Sequence, residues 1–231
     1  GRRISQIRDE LEQVRAHRER HRSKRQQTEL QVVAIVGYTN AGKSTLLNKL
    51  SGADVYAADQ LFATLDPTTR RVIMPGGREV LFTDTVGFIQ KLPTQIVAAF
   101  RATLEEIGEA DMLLHVVDVT HPHFLAQMDA VEDTLAELEV DHLPMVIALN
   151  KADLLQDRGV LDDLELMAPA AVVSARTGRG LEELLTLIEA TMVGLLQPIH
   201  IHLPYERGDL LSQIDERGQM DGDQHTASGV D

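Results

Sequence analysis

The chain has 231 residues and no cysteine, which leaves no disulfide and no thiolate ligand to consider and suits a reducing, cytoplasmic setting. It also lacks an apolar stretch approaching the roughly 18 residues needed to cross a bilayer, and an apolar run behind a basic start. Neither a membrane anchor nor a signal segment is therefore expected. No internal repeat is visible. What is present is 43% hydrophobic residues, enough for a core in one large domain with appendages or in two small ones. The chain opens on Gly1-Arg2-Arg3-Ile4, as if in mid-helix, and an internal piece of a longer protein is expected.

The formal net charge of -14 argues against indiscriminate adhesion to nucleic acid, and no DNA partner is expected. The charge is uneven. Residues 1–27 carry nine Lys/Arg against four Asp/Glu, a net +5, whereas the remainder carries 13 against 32, a net -19. Ile4, Ile7, Leu11 and Val14 recur at helical spacing, but Arg18 and His21 continue the seam, so its second half has no apolar stripe. From charge alone, the arm is either a basic helix aimed at an acidic partner or a solvated helix.

From Gln31 onward, short apolar runs alternate with amphipathic stretches, the pattern of a largely parallel sheet covered by helices. Strands are predicted at Val32–Val36, Val72–Met74, Val80–Asp84, Met112–Asp118, Met145–Asn150 and Ala171–Ser174. Gly76-Gly77 predicts an antiparallel hairpin between the second and third. Crossover helices are predicted at Ser44–Leu50, Thr94–Ile107, His123–Glu139 and Leu181–Met192, with a shorter one near Leu161–Met167. Beyond Gln197 come a strand candidate at Pro198–Pro204, an amphipathic stretch at Tyr205–Gln219 and a polar tail at Asp221–Asp231 expected to be disordered. The expected fold is α/β: a Ras-like P-loop domain with a six-stranded, mostly parallel sheet. It spans residues 30–196, between a helical arm at 1–29 and a partial C-terminal region at 197–231.

Gly37-Tyr38-Thr39-Asn40-Ala41-Gly42-Lys43-Ser44 follows a predicted strand and opens a predicted helix. That is the context in which G-x-x-x-x-G-K-[ST] cradles phosphates. Backbone N–H groups and the helix N-terminus face the anion, Lys43 adds a full charge, and Ser44, followed by Thr45, brings a hydroxyl to Mg²⁺. Asp84-Thr85-Val86-Gly87 ends the third strand, where an Asp reaches toward the same ion and the Gly N–H toward a γ-phosphate. Asn150-Lys151-Ala152-Asp153 closes the fifth strand. Asp153 accepts from the ring N–H and exocyclic amine of guanine, donors that adenine lacks. Sites built on such bonds discriminate by on the order of 10⁴. Asn150 ties loops together, the Lys151 stem covers the base, and Ser174-Ala175-Arg176 offers a backbone N–H to the guanine carbonyl. GTP and GDP are thus the expected ligands, with Mg²⁺.

Between the first helix and second strand lies Leu61-Phe62-Ala63-Thr64-Leu65-Asp66-Pro67-Thr68-Thr69. One threonine should close onto Mg²⁺ and the γ-phosphate, and spacing leaves Thr64, Thr68 and Thr69 open. The order of motifs, with Phe62–Arg70 and Asp84-Thr-Val-Gly-Phe88, resembles the HflX family of translational GTPases, whose switch I threonine Thr64 matches. The basic arm resembles the end of that family's helical linker, and Leu203-Pro-Tyr-Glu-Arg-Gly-Asp-Leu-Leu211 the start of its C-terminal region. The resemblance implies GTP hydrolysis coupled to binding of the large ribosomal subunit and its RNA, with dissociation of stalled or stress-damaged ribosomes as the task. The family's N-terminal domain and the first part of its linker have no counterpart here.

Lys43, Thr64, Gly87 and Asn40 are the expected catalytic positions; Ser44, Thr64 and Asp84 the metal ligands. Phe88 stands where many GTPases place a glutamine that orients water, so basal turnover should be slow and partner-stimulated. Asn40 resembles the asparagine that coordinates K⁺ in potassium-activated GTPases; its other role is to brace the loop. His121/His123 and His200/His202 lack a third ligand nearby, which disfavours zinc. A monomer is expected. The rival readings are a slow GTP-binding module and a GTPase of another RNA pathway such as tRNA modification.

Overall fold

The computed structural model describes residues 30–52, 68–88, 107–155, 161, 169–194, 201–207, 210, 225–226 and 229–230. The basic arm and the segment Phe62-Ala63-Thr64-Leu65-Asp66 lie outside the described residues, as does most of the Thr94–Ile107 helix. Six strands form the main sheet: β1 (Val32–Val36), β2 (Thr68–Ile73), β3 (Glu79–Asp84), β4 (Met112–Asp118), β5 (Met145–Asn150) and β6 (Ala170–Val172). Their order is β2-β3-β1-β4-β5-β6, antiparallel only between β2 and β3.

The central strands β1, β4 and β5 are apolar on both faces because both faces are covered. Val33, Ile35, Leu114, Val116 and Ala148 pack on one side against α1 (Lys43–Leu50) and α3 (Leu181–Val193), through Leu46, Leu47, Leu184 and Ile188. On the other side Ala34, Val36 and Leu113 meet Ile107 and Val131 and Leu135 of α2 (Phe124–Glu137). Each such aliphatic side chain stabilises the fold by roughly 1.5–3 kcal/mol. This core fixes the C-terminal ends of β1, β3, β4 and β5 side by side, and the loops leaving those ends build the site.

Several boundaries shift from the sequence reading, most of them by one or two residues, and two strands show why. β2 begins at Thr68, before the apolar signal at Val72, because an edge strand needs only backbone pairing with β3, and Thr68 to Arg71 stay partly or fully exposed. β6 is Ala170–Val172; the Val173 N–H still donates to the Leu149 carbonyl of β5 at 2.9 Å, whereas the Ser174 N–H turns to the Arg179 carbonyl. The Gly76-Gly77 turn forms as expected, closed by the Gly77 N–H donating to the Met74 carbonyl at 2.8 Å. Most of the polar tail Asp221–Asp231 lies outside the described residues; within it Gly229–Val230 (β8) pairs antiparallel with Leu203–Pro204 (β7), and the Tyr205 hydroxyl donates to the Thr226 carbonyl at 2.7 Å.

Candidate functional site

The loop Gly37–Gly42 leaves β1 and enters α1 through backbone shapes that few residues adopt. Gly37 has φ 147°, Asn40 φ 61° and Gly42 φ 97°. A Cβ at Gly37 would lie 2.3 Å from the Val116 carbonyl oxygen, which is backbone and cannot yield, so only glycine fits there. Lys43, in the first turn of α1, is 6% exposed, and its Nζ donates to the Gly37 and Tyr38 carbonyls at 3.1 Å each. Burial pulls the ammonium down to about 8, with the Asp84 carboxylate acting in the opposite direction.

The Ser44 hydroxyl donates to Asp84 Oδ2 at 2.6 Å. A hydroxyl and a carboxylate held together at the phosphate loop are hard oxygen donors, the set that suits Mg²⁺. Thr45 is half-buried on the same turn. Thr85 spends its hydroxyl on the Ile35 carbonyl at 2.6 Å, anchoring the start of the Asp84–Gly87 turn to β1, and Val86 is buried in the core. At Gly87, a Cβ would stand 2.7 Å from Thr39 Cα and 2.9 Å from Lys43 Nζ, so the turn and the phosphate loop approach as closely as backbones allow. Phe88 completes this junction. Its N–H donates to the Gly37 carbonyl at 3.0 Å and its carbonyl accepts from the Thr39 N–H at 2.8 Å. The ring itself is core, 3% exposed; it presents no polar group to a water.

At the other end of the site, one buried side chain joins three loops. Asn150 Nδ2 donates to the Ala41 carbonyl at 2.9 Å, and Asn150 Oδ1 accepts from the Ala175 N–H at 2.9 Å. Lys151 takes a left-handed backbone, φ 67°, and its Nζ lies 2.6 Å from Asp118 Oδ2. The Ala152 N–H is held by the Val173 carbonyl at 3.1 Å, while Asp153, in the short 3₁₀ turn Ala152–Leu154, is exposed. Ser174 is fully buried and its Oγ accepts from the Thr177 N–H at 3.1 Å, shaping the turn that carries exposed Arg176.

The structure thus brings together Gly37 to Thr45, Asp84 to Gly87, Asn150 to Asp153 and Ser174 to Arg176. Thr64 and its neighbours fall outside the described residues. Of the other two threonine candidates, Thr68 pairs with Asp84 across the β2–β3 ladder, and Thr69 shares a 3.0 Å hydroxyl contact with Thr83. Sequence reasoning passed over two residues, Asp118 and His115. His115, on β4, is 1% exposed, and its Nδ1 has no hydrogen-bond partner. Burial first, and then the charge of Lys43, hold its imidazole down at about 4. The available signal was a single histidine inside the apolar run Met112–Asp118. Among the described residues no group of three or more His, Cys, Asp or Glu could hold a metal, and no helix is long and apolar enough to cross a membrane.

A family described as 50S ribosome-binding GTPase matches residues 32–151. The chain is 43% identical to the GTPase HflX of Caldanaerobacter subterraneus over 99% of its own length and 52% of the relative's. It is 46% identical to the GTPase HflX of Magnetococcus marinus, over 92% and 49%, and 42% identical to that of Escherichia coli, over 92% and 50%. The chain therefore spans about half the length of these curated relatives. Among solved structures it is similar to a GTP-binding protein from Sulfolobus solfataricus in complex with GDP, with 26% identity and a TM-score of 0.61 over 81% of this chain and 62% of that one.

Proposed function

The chain belongs to the HflX family of GTPases, and from that premise we propose that it binds GTP with Mg²⁺, hydrolyses it, and uses the change to act on the large ribosomal subunit. The observation that carries the reading is the continuity of the site. A phosphate loop with a buried lysine stands beside a hydroxyl–carboxylate pair, and Asn150 ties that loop to the guanine-type loop and to the Ser174–Arg176 turn, at 2.9 Å on each side. In this reading Lys43 and the loop N–H groups hold the β- and γ-phosphates, Gly87 meets the γ-phosphate, and Asp153 selects guanine. Ser44, Asp84 and Thr64 hold the ion, which when bound neutralises charge on the phosphate oxygens. GDP bound to the Sulfolobus relative supports the nucleotide class.

With a core phenylalanine at Phe88, no side chain there orients water, so basal turnover is slow and a partner or a cation supplies the remainder. Asn40 is exposed in the phosphate loop, a place from which a K⁺ ligand could be offered near the phosphates. The basic arm, residues 1–29, gives the ribosomal RNA its contact, and binding through it weakens as salt rises.

The test is phosphate release from GTP and from ATP, with Mg²⁺ or chelator, alone and with large ribosomal subunits. Magnesium-dependent, GTP-selective turnover that the subunits accelerate is expected. Equal use of ATP sinks the guanine assignment, and indifference to subunits sinks the ribosomal one. Repeating the assay in KCl and NaCl at equal ionic strength, with the parent and Asn40→Ala, checks the cation: potassium should favour only the parent.

A further inference from the structure

The Asn150–Asp153 strip contains a lysine whose task, covering the face of the base, depends on where a long flexible side chain points. A lysine stem has four rotatable bonds, and ordering it only when a ligand arrives subtracts from affinity. The structure shows what orders it beforehand. Asp118 ends β4 directly opposite Asn150 in the β4–β5 register, and the Val119 N–H donates to the Asn150 carbonyl at 3.2 Å, so the two strand ends move together. The carboxylate is itself fixed: its Oδ1 accepts from the Thr120 N–H at 3.0 Å and from the Thr120 hydroxyl at 2.6 Å. That leaves Oδ2 for Lys151 Nζ at 2.6 Å, in a pair whose side chains are only 16% and 26% exposed. Such a short, charge-assisted and partly desolvated bond is of the stronger kind. The left-handed backbone at Lys151, φ 67°, sets the direction from the other side.

We infer that Asp118 is a positioning residue for guanine-nucleotide affinity, holding Lys151 in the pose that covers the base. It acts through Lys151 and touches neither phosphate nor reacting atoms. The inference rests on the reading of Asn150–Asp153 as the guanine loop. It also separates two roles within that loop: Asp153 reads the edge of the base, whereas the Asp118–Lys151 pair serves its face. A face contact is blind to the exocyclic amine, so its loss weakens guanine and hypoxanthine nucleotides alike.

The experiment is titration of GTP, GDP and ITP into the parent, Asp118→Asn, Lys151→Met and the double variant, with steady-state turnover alongside. Asparagine keeps the acceptor for Thr120 and removes the charge. Asp118→Asn should weaken all three nucleotides by the same factor, roughly tenfold, raise KM by that factor and leave kcat within about twofold. In the Lys151→Met background it should add nothing, because the partner through which it acts is gone. Parent-like affinity in Asp118→Asn, an undiminished loss in the Lys151→Met background, or a fall in kcat at unchanged KM would each overturn the inference. Failure of the parent to bind any guanine nucleotide would instead overturn the site reading beneath it.

Discussion

The two ends of the site are built on opposite terms. At the phosphate end the groups suited to a ligand are engaged with one another: Lys43 with the carbonyls of its own loop, Ser44 with Asp84, and the Thr39 N–H with Phe88. On the site proposed above, a phosphate and its ion would compete with those partners, and exchanging one hydrogen bond for another nets only about 0.5–1.5 kcal/mol. At the base end the bonds run between loops, from Asn150 to Ala41 and Ala175 and from Lys151 to Asp118, and none of them involves the exposed carboxylate of Asp153. Recognition of the base is therefore set before a ligand arrives. The phosphate end, by contrast, exchanges internal partners for a ligand, which is the kind of rearrangement a switch uses.

The largest expected effect breaks the base end alone. Asp153→Asn should reverse a discrimination on the order of 10⁴, losing GTP and gaining xanthosine triphosphate, whose carbonyl needs a donor opposite it. Competition between the two nucleotides measures this, and unchanged preference removes Asp153 from the site. Next comes the phosphate end, beneath which His115 feels the charge of Lys43. The unfolded chain protonates this histidine near its ordinary value of 6.5, but the folded chain only at about 4. Its contribution to stability is therefore whole above about 6.5, falls as pH drops through that window, and levels off below about 4, on the order of 3 kcal/mol in all. His115→Leu should flatten this part of the pH profile; denaturant unfolding of the nucleotide-free protein at several pH values decides, and parallel profiles would refute it.

The smallest effect sharpens the comparison by leaving both ends alone. Glu189 of α3 accepts from the Gly76 N–H at 3.0 and 3.1 Å, at the β2–β3 turn, the end of β3 opposite to Asp84. Glu189→Ala should cost about 1 kcal/mol of stability with nucleotide affinity unchanged. A parallel loss of affinity would mean that the hairpin communicates with the site.

The sequence was most readable where a strand is buried on both faces. β1 and β5 are near-continuous apolar runs, and the phosphate and Asn150 motifs follow them at once, as the Asp84 motif follows the apolar middle of β3, so fold and site announced each other. The first four residues of β2 were hidden because an edge strand is specified by its neighbour, leaving Thr68-Thr69-Arg70-Arg71 free to be polar. β8 was hidden for the same reason at greater sequence distance. Asp118 closes an apolar run as any strand-ending carboxylate does, and its meaning depends on Lys151, 33 residues later, arriving beside it through the β4–β5 register. His115 looked like a strand residue because its neighbourhood is made by Lys43, from another part of the chain.

Asn150 has a kinetic consequence. Because a single buried amide fastens the Gly37–Gly42 loop and the Ser174–Arg176 turn to the end of β5, those three segments open together in one cooperative event. The Ala175 amide hydrogen, which is donated to Asn150, should then exchange with solvent at the rate of that shared opening. On the site proposed above, a nucleotide that touches all three segments would depart on the same clock.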